Sequence, residues 1–285
     1  IKLGSGSTSP GYYMYHGGTH KPGMKDPNGI PQNFDYQAPI GEFGQRRAAY
    51  HSLKLLHHFL NDYGILLANM QPVRPADMVR NPKEVSRLRY VGRFQGDRGF
   101  LFMTTCQPYV EHSGIAGAQV ELKLSQETMK VPAQPIDLPA DISPIFPVNL
   151  DLNGTTLRSA TAQPLCKLMD GPVPCFVFFA YEGIAPEFQL AADARVETQA
   201  PMAKEGAAVN VRPVPSRQLA FSVTAPDGRQ AKILLISRQD AEHSWRLDFL
   251  GEPRLLLSKA DLTLSADGGL ELAAPETAMD LAVVP

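Results

Sequence analysis

Apolar and polar positions follow two regimes along the chain. Before residue 85 one segment reads at helical period. After it, short alternating runs punctuated by glycine and proline take over. Between Arg46 and Asp62, the residues Ala49, Leu53 and Leu56 recur at helical spacing and continue into Leu60 and Tyr63, with Tyr50 and Phe59 widening the stripe. Arg47, His51, Lys54, His58 and Asn61 fall mostly on the other side, and Gly64 is placed to end the helix in a left-handed turn. Ahead of the helix, Gly11 to His16 runs apolar and aromatic without alternation, which predicts a short strand covered on both faces. Gly17-Gly18 stops it, and Thr19 to Gln32 predicts a loop long enough to carry function. Strand, loop and helix make one β/α unit, which must dock on something to bury its faces.

Gln71 to Pro82 is interrupted by proline and predicts a linker. From there the pattern is all-β. Leu88 to Phe94 alternates, Gly96 to Gly99 turns, Phe100 to Met103 returns, and Val120 to Leu124 alternates cleanly. Asn153-Gly154 marks a hairpin, and Cys175 to Ala180 predicts a buried strand. Leu219 to Thr224 and Ala231 to Ser237 flank Ala225-Pro-Asp-Gly228, while Leu262-Thr-Leu and Leu270-Glu-Leu flank Asp267-Gly-Gly269. Short strands with regular turns predict β-sandwich-like modules, and Ala191 to Gly206 is the candidate boundary between two of them. No fixed-period repeat is present.

Composition narrows the class without changing that picture. The 285 residues are 44% apolar and 20% charged, as in globular proteins that bury a sizeable core. A net charge of −2 without a large basic run argues against nucleic acid as an obligatory partner. No apolar run reaches the roughly 18 residues that span a bilayer. The start, Ile1-Lys-Leu-Gly-Ser, lacks Met and an apolar signal region, an entry that suits a chain cut from something longer. Cys106, Cys166 and Cys175 are too few and odd in number for a disulfide framework. Cys166 and Cys175 flank a turn, and two buried thiols are the favoured reading over a cross-hairpin bond.

The chemically dense stretch is Gly11 to Gly44. His16-Gly17-Gly18 ends the predicted strand, and glycines there let backbone approach a ligand closely. Asp35-Tyr36 sets a carboxylate beside a phenol ahead of Ala38-Pro39, a pairing that suits sugar hydroxyls; a capping Asp and a packing Tyr explain it equally well. Glu42 lies between Gly41 and Gly44 and reads as a catalytic or a turn residue. His51, His57 and His58 include no His-x-x-x-His pair, so a zinc site has no support. There is no P-loop, no dinucleotide fingerprint and no Gly-x-Ser-x-Gly elbow, and no cofactor is expected.

Taken together, Tyr12-Tyr-Met-Tyr-His-Gly-Gly-Thr19 and Phe34-Asp-Tyr-Gln-Ala-Pro-Ile-Gly-Glu-Phe-Gly44 resemble the last-strand signature of glycoside hydrolase family 35 β-galactosidases. Downstream, Arg98-Gly-Phe-Leu-Phe102, Pro144 to Gly154 and Ala160 to Leu165 resemble the β-rich region behind the barrel in bacterial members. His20 stands where the family has Asn, Phe34 where it has Tyr, and Gln37 where it has Asp.

The resemblance implies a mainly β chain. Residues 1–70 would close a (β/α)8 catalytic barrel, 71–84 would link, 85–190 would form a β-rich domain, and 191–285 a second β-sandwich-like domain. It implies a parent that is a retaining β-galactosidase acting on terminal β-D-galactosyl residues through two glutamates about 5 Å apart. No residue here matches either glutamate, so the chain alone is expected to be inactive without the preceding barrel segment, its expected partner besides a galactoside. Tyr36 matches the tyrosine at the galactose subsite, with His16, Gly17, Gly18 and Asp35 shaping that site. Members are often exported in bacteria, and a leader would lie upstream of Ile1. A non-catalytic carbohydrate-binding or structural β-sandwich module is the alternative, although the single Trp245 offers little stacking platform.

Overall fold

A computed structural model describes residues 2–21, 24, 33–274 and 279–284. Most of the expected loop from Thr19 to Gln32 lies outside the described residues. The chain enters helix α1 (Ala48–Ala68), then strands β1 (Gln71–Val73), β2 (Arg89–Gln95), β3 (Arg98–Thr104), β4 (Ile115–Lys123) and β5 (Thr128–Leu138). Next come β6 (Ile145–Leu152), β7 (Thr155–Ala160), β8 (Gln163–Asp170), β9 (Val173–Ala180), β10 (Phe188–Ala191), β11 (Arg195–Thr198), β12 (Met202–Glu205) and β13 (Ala208–Val211). The chain ends through β14 (Leu219–Thr224), β15 (Gln230–Ser237), the short helix α2 (Arg238–Glu242), β16 (Ser244–Phe249), β17 (Glu252–Leu257), β18 (Asp261–Leu264), β19 (Leu270–Ala273) and β20 (Ala282–Val284). The protein is mainly β, with 46% of the described residues in strands and 10% in helix.

Two large sheets carry the fold. One runs β1-β2-β3-β6-β7-β10-β13-β12, the other β11-β14-β15-β9-β8. A core fills the space between them. Phe100, Leu150, Leu157, Phe188 and Val211 come from the first sheet, and Phe176, Phe178, Phe221 and Ile233 from the second. The alternate residues of β9, namely Cys175, Val177 and Phe179, enter a second core beneath the β4–β5 ribbon and β17. Burial on both faces is why Cys175 to Ala180 reads as one unbroken apolar run. Its partner β15 is parallel to it, with Lys232 opposite Cys175 and Ile236 opposite Phe179.

The expected turns form where their chemistry lies. Asn153 and Gly154 both take positive φ (57° and 97°), the conformation a two-residue hairpin between β6 and β7 demands. Cys166 lies opposite Val177 and Cys175 opposite Leu168, so the two buried thiols are not directly cross-strand.

Five expectations need correction. Gly11 to His16 forms no strand: His16 alone makes a parallel bridge, to Ile40, and Tyr13 is 92% exposed. A strand needs a neighbour along its length, and these residues have one only at the end. The helix does not stop at Gly64 but runs to Ala68. A mid-helix glycine costs only about 1 kcal/mol relative to alanine, and burial of Tyr63 and Leu67 on either side of it outweighs that. The buried stripe is also rotated from the expected one, running Leu55, Phe59, Tyr63, Leu67, with Lys54 and His58 buried beside it and Ala49 exposed. The helix docks on the protein's own sheets, where Leu56 and Leu60 pack at the edge of the inter-sheet core.

The remaining corrections concern boundaries. The 71–84 linker begins as an edge strand, Val73 pairing with Gly92. Residues 191–206 do not separate two modules: β10, β11 and β12 are laid into the two large sheets, and β9 and β15, one from each side of that stretch, are adjacent.

Candidate functional site

The segment from Gly11 to Gly44 is held by hydrogen bonds between its two motifs rather than by a sheet. Gly17 N–H donates to Ile40 O at 2.7 Å, Ile40 N–H to Tyr15 O at 3.0 Å, and Phe34 N–H to Gly18 O at 2.7 Å. Gly17 must be glycine for this approach. A Cβ there would lie 2.7 Å from Glu42 N and 3.0 Å from Asp35 Cα, both backbone atoms. Gly18 faces open space instead. Of the expected site residues, His16, Gly17, Gly18 and Asp35 are therefore brought together, and the His16 ring makes a short contact with the Gly17 carbonyl.

Asp35 is anchored by the segment itself. Its Oδ2 accepts from Arg47 Nη2 at 3.0 Å and from Glu42 N–H at 3.1 Å, and Arg47 Nη2 lies 2.8 Å from Oδ1. The Arg47 hydrogen bond, followed by that of Glu42 N–H, holds the Asp35 carboxyl below its ordinary range. Arg47 Nη1 also donates to Ala38 O at 2.6 Å, so one guanidinium ties the turn to the start of α1. Glu42 accepts a hydrogen bond from the Thr19 hydroxyl. Both carboxylates thus serve to fix the wall.

Tyr36 protrudes from it. It is 69% exposed, and it and Gln37 take φ of 44° and 54°. Left-handed backbone at an aromatic residue is uncommon, and here it turns the phenol outward beside Phe34, 6.1 Å between ring centres. Phe34 in turn lies 4.3 Å from the His20 ring. The result is an exposed aromatic ledge with a hydroxyl at its tip, while Gly17 lies buried against the Asp35 and Glu42 backbone and Gly18 is half-buried.

Helix α1 braces the wall from behind. Tyr12 OH bonds His57 Nε2 at 3.1 Å, and Tyr15 contacts both His57 and Tyr50. Farther along, Lys54 Nζ lies 3.9 Å from the centre of the Trp245 ring, and the Arg46 guanidinium 5.1 Å from it. Burial, with the Arg46 charge second, lowers the Lys54 amine to about 7. Burial also lowers His58 to about 4. Asp62 accepts from Arg246 Nη1 with both oxygens, at 2.8 and 2.7 Å, and from Lys167 N–H at 2.6 Å. Sequence patterning missed this cluster. The one signal is Lys54 and His58 at i, i+4, which fall on the side opposite the expected apolar stripe.

Among the described residues, no group of three His, Cys, Asp or Glu side chains is placed to hold a metal ion. No helix among them is long and apolar enough to cross a membrane. No family model matches the chain, and no curated protein matches it.

Proposed function

We propose that this chain is a portion of a retaining β-galactosidase, supplying one wall of its sugar site and the β-rich region behind it. The observation that carries the reading is the direct hydrogen bonding of the two motifs into one segment, from which the exposed Tyr36 phenol projects. A galactosyl hydroxyl would bond the phenol, while the exposed ring edge and Phe34 would meet the sugar's apolar face. Asp35 acts through position: ion-paired to Arg47, it fixes the turn that projects Tyr36. The acid/base and nucleophile belong to a preceding barrel segment, because the two carboxylates of the wall are engaged with Arg47 and Thr19. By itself the chain binds galactose weakly and turns nothing over.

Saturation-transfer NMR with methyl β-galactoside tests this. The expected result is transfer to the sugar that weakens on Tyr36→Phe by about fivefold, the worth of one hydroxyl hydrogen bond of ~1 kcal/mol, and disappears with Gly17→Ala. Gly18→Ala, which meets nothing within 4 Å, should leave it unchanged. Galactoside binding indifferent to Tyr36→Phe and Gly17→Ala would instead favour a non-catalytic sugar-binding β-sandwich. Turnover by the chain alone would overturn the assignment of the catalytic carboxylates to another segment.

A further inference from the structure

A cavity of about 1050 Å3 opens between α1 and the first large sheet. It touches the sugar-site wall only at Gly11 and Tyr12, and the galactosidase reading makes no use of it. Its size is at the upper end for small-molecule sites, roughly 300–1,000 Å3. Leu53 and Leu56 form one side, and Val91 and Phe102 the other. The polar groups at its floor are already satisfied: Tyr181 OH donates to Gln163 Oε1 at 2.9 Å, and that oxygen also accepts from Ile145 N–H at 3.0 Å. An occupant is therefore asked for few hydrogen bonds along most of its length, which excludes a sugar and favours an alkyl chain.

Charge supplies the other half of the argument. Two of the arginines lining the cavity have carboxylate partners, Arg87 with Asp77 at 2.6 Å and Arg238 with Glu242 at 2.9 Å. Two others do not. Arg74 donates to Ser5 O at 3.0 Å, and Arg89 to Asn81 O at 3.1 Å and Glu84 O at 2.7 Å. Among the described residues neither guanidinium makes an ion pair within 4 Å, although the Glu84 carboxylate lies within electrostatic reach of Arg89. With Lys2 also in the lining, three cations without an ion pair among the described residues border an aliphatic cavity, and they are complementary to one anionic head on an apolar tail. We infer that the cavity binds a long-chain carboxylate, its alkyl chain between α1 and the sheet and its head group at Arg74 and Arg89.

Titration of the full chain with [1-13C]dodecanoate, by calorimetry and 13C NMR, tests the inference. Saturable binding at one site is expected, roughly tenfold tighter than dodecanol and tighter still than dodecyltrimethylammonium, and weakening as salt rises. Leu53→Glu, which puts an anion into the apolar wall, should weaken dodecanoate binding by at least about tenfold. Arg74→Ala, on an exposed segment, should weaken it by about threefold to tenfold while the dodecanol affinity holds. That second variant reads the head group even if Leu53→Glu fails to fold. Equal affinity for dodecanol, or no saturable binding, would overturn the inference. So would a concentration-dependent dimer that Leu53→Glu abolishes and dodecanoate leaves untouched, because a second copy would then be the occupant.

Discussion

Arg93 is 1% exposed, and its guanidinium faces three main-chain carbonyls. Nε donates to Met70 O at 2.9 Å, Nη1 to Leu3 O at 2.7 Å and Nη2 to Leu67 O at 2.7 Å. Leu67 lies in the last turn of α1 and Met70 two residues beyond its end, where carbonyls of the helix terminus gather partial negative charge. The arginine therefore caps the helix from within the sheet and ties the N-terminal segment to both. Arg93→Ala would take the donor from the Met70 carbonyl and the charged donor from those of Leu3 and Leu67, which keep the N–H groups of Gly6 and of Asn69 and Met70, and should destabilise by about 1–3 kcal/mol. Arg93→Lys should recover only part of that, since one ammonium cannot reproduce the planar fork. Urea unfolding reads both, and a loss under about 1 kcal/mol for Arg93→Ala would show that the carbonyls find other partners. In the sequence Arg93 is one polar position in an alternating strand, and nothing local marks it as inward-facing. Asp35 was equally opaque. Its pairing with Arg47, twelve residues on, depends on how the intervening turn closes. Gly17 was legible as a close approach, although the atoms approached turned out to be the neighbouring motif's backbone.

At the scale of the element, α1 shows how far periodicity reaches. Helical spacing locates it and includes Phe59 and Tyr63, which are buried, but it centres the stripe on Leu53, Leu56 and Leu60, whereas the structure adds Leu55 and Leu67 and buries Lys54 and His58 beside them. The two readings differ because apolar residues surround most of this helix, so composition alone leaves the rotation open. Trp245 decides it: its face gives Lys54 a partner that a hydropathy pattern cannot represent. The cost of that placement is pH-dependent. His58 takes a proton at about pH 4 in the fold against an ordinary 6.5, so stability falls as pH drops from 6.5 towards 4, by on the order of 3 kcal/mol. Lys54, lowered from 10.5 to about 7, costs stability progressively as pH falls across that higher window. The charges around them are Arg46, Glu242, Arg246 and Asp62. Urea midpoints should rise from pH 4.5 to about 8.5, above which ionisation of the Cys166 thiol in the unfolded chain, opposed by burial in the fold, offsets the gain. His58→Gln should flatten the acid limb and Lys54→Met the alkaline one. An acid limb unchanged in His58→Gln would assign the loss to other groups.

The whole molecule turns on a pairing that local sequence cannot disclose. The hairpins at Asn153-Gly154 and Ala225 to Gly228 were legible because turn chemistry is written in adjacent residues. The parallel contact of β9 with β15 spans more than fifty residues of chain, and neither strand carries a mark naming the other. Reading the turns without that contact makes two modules with a boundary near residue 191. Adding it makes one layered body, since β9 lies between β8 and β15 and its Phe176 and Phe178 share a core with Phe221 and Ile233. Removing residues 191–285 would strip β15 from β9 and β13 from β10. An apolar strand would then lie bare along one edge, with Phe221, Ile233 and Leu235 gone from one core and Leu234, Ile236 and Leu255 from the other. A chain of residues 1–190 is accordingly expected to lack native near-ultraviolet circular dichroism and to aggregate, whereas co-expression with 191–285 should restore a soluble pair. In the intact chain, denaturant should unfold both sheets in one transition, with amides of β9 and β15 exchanging at the same opening free energy. If residues 1–190 instead unfold cooperatively at the intact protein's midpoint, the β9–β15 contact contributes little and the two halves are independent.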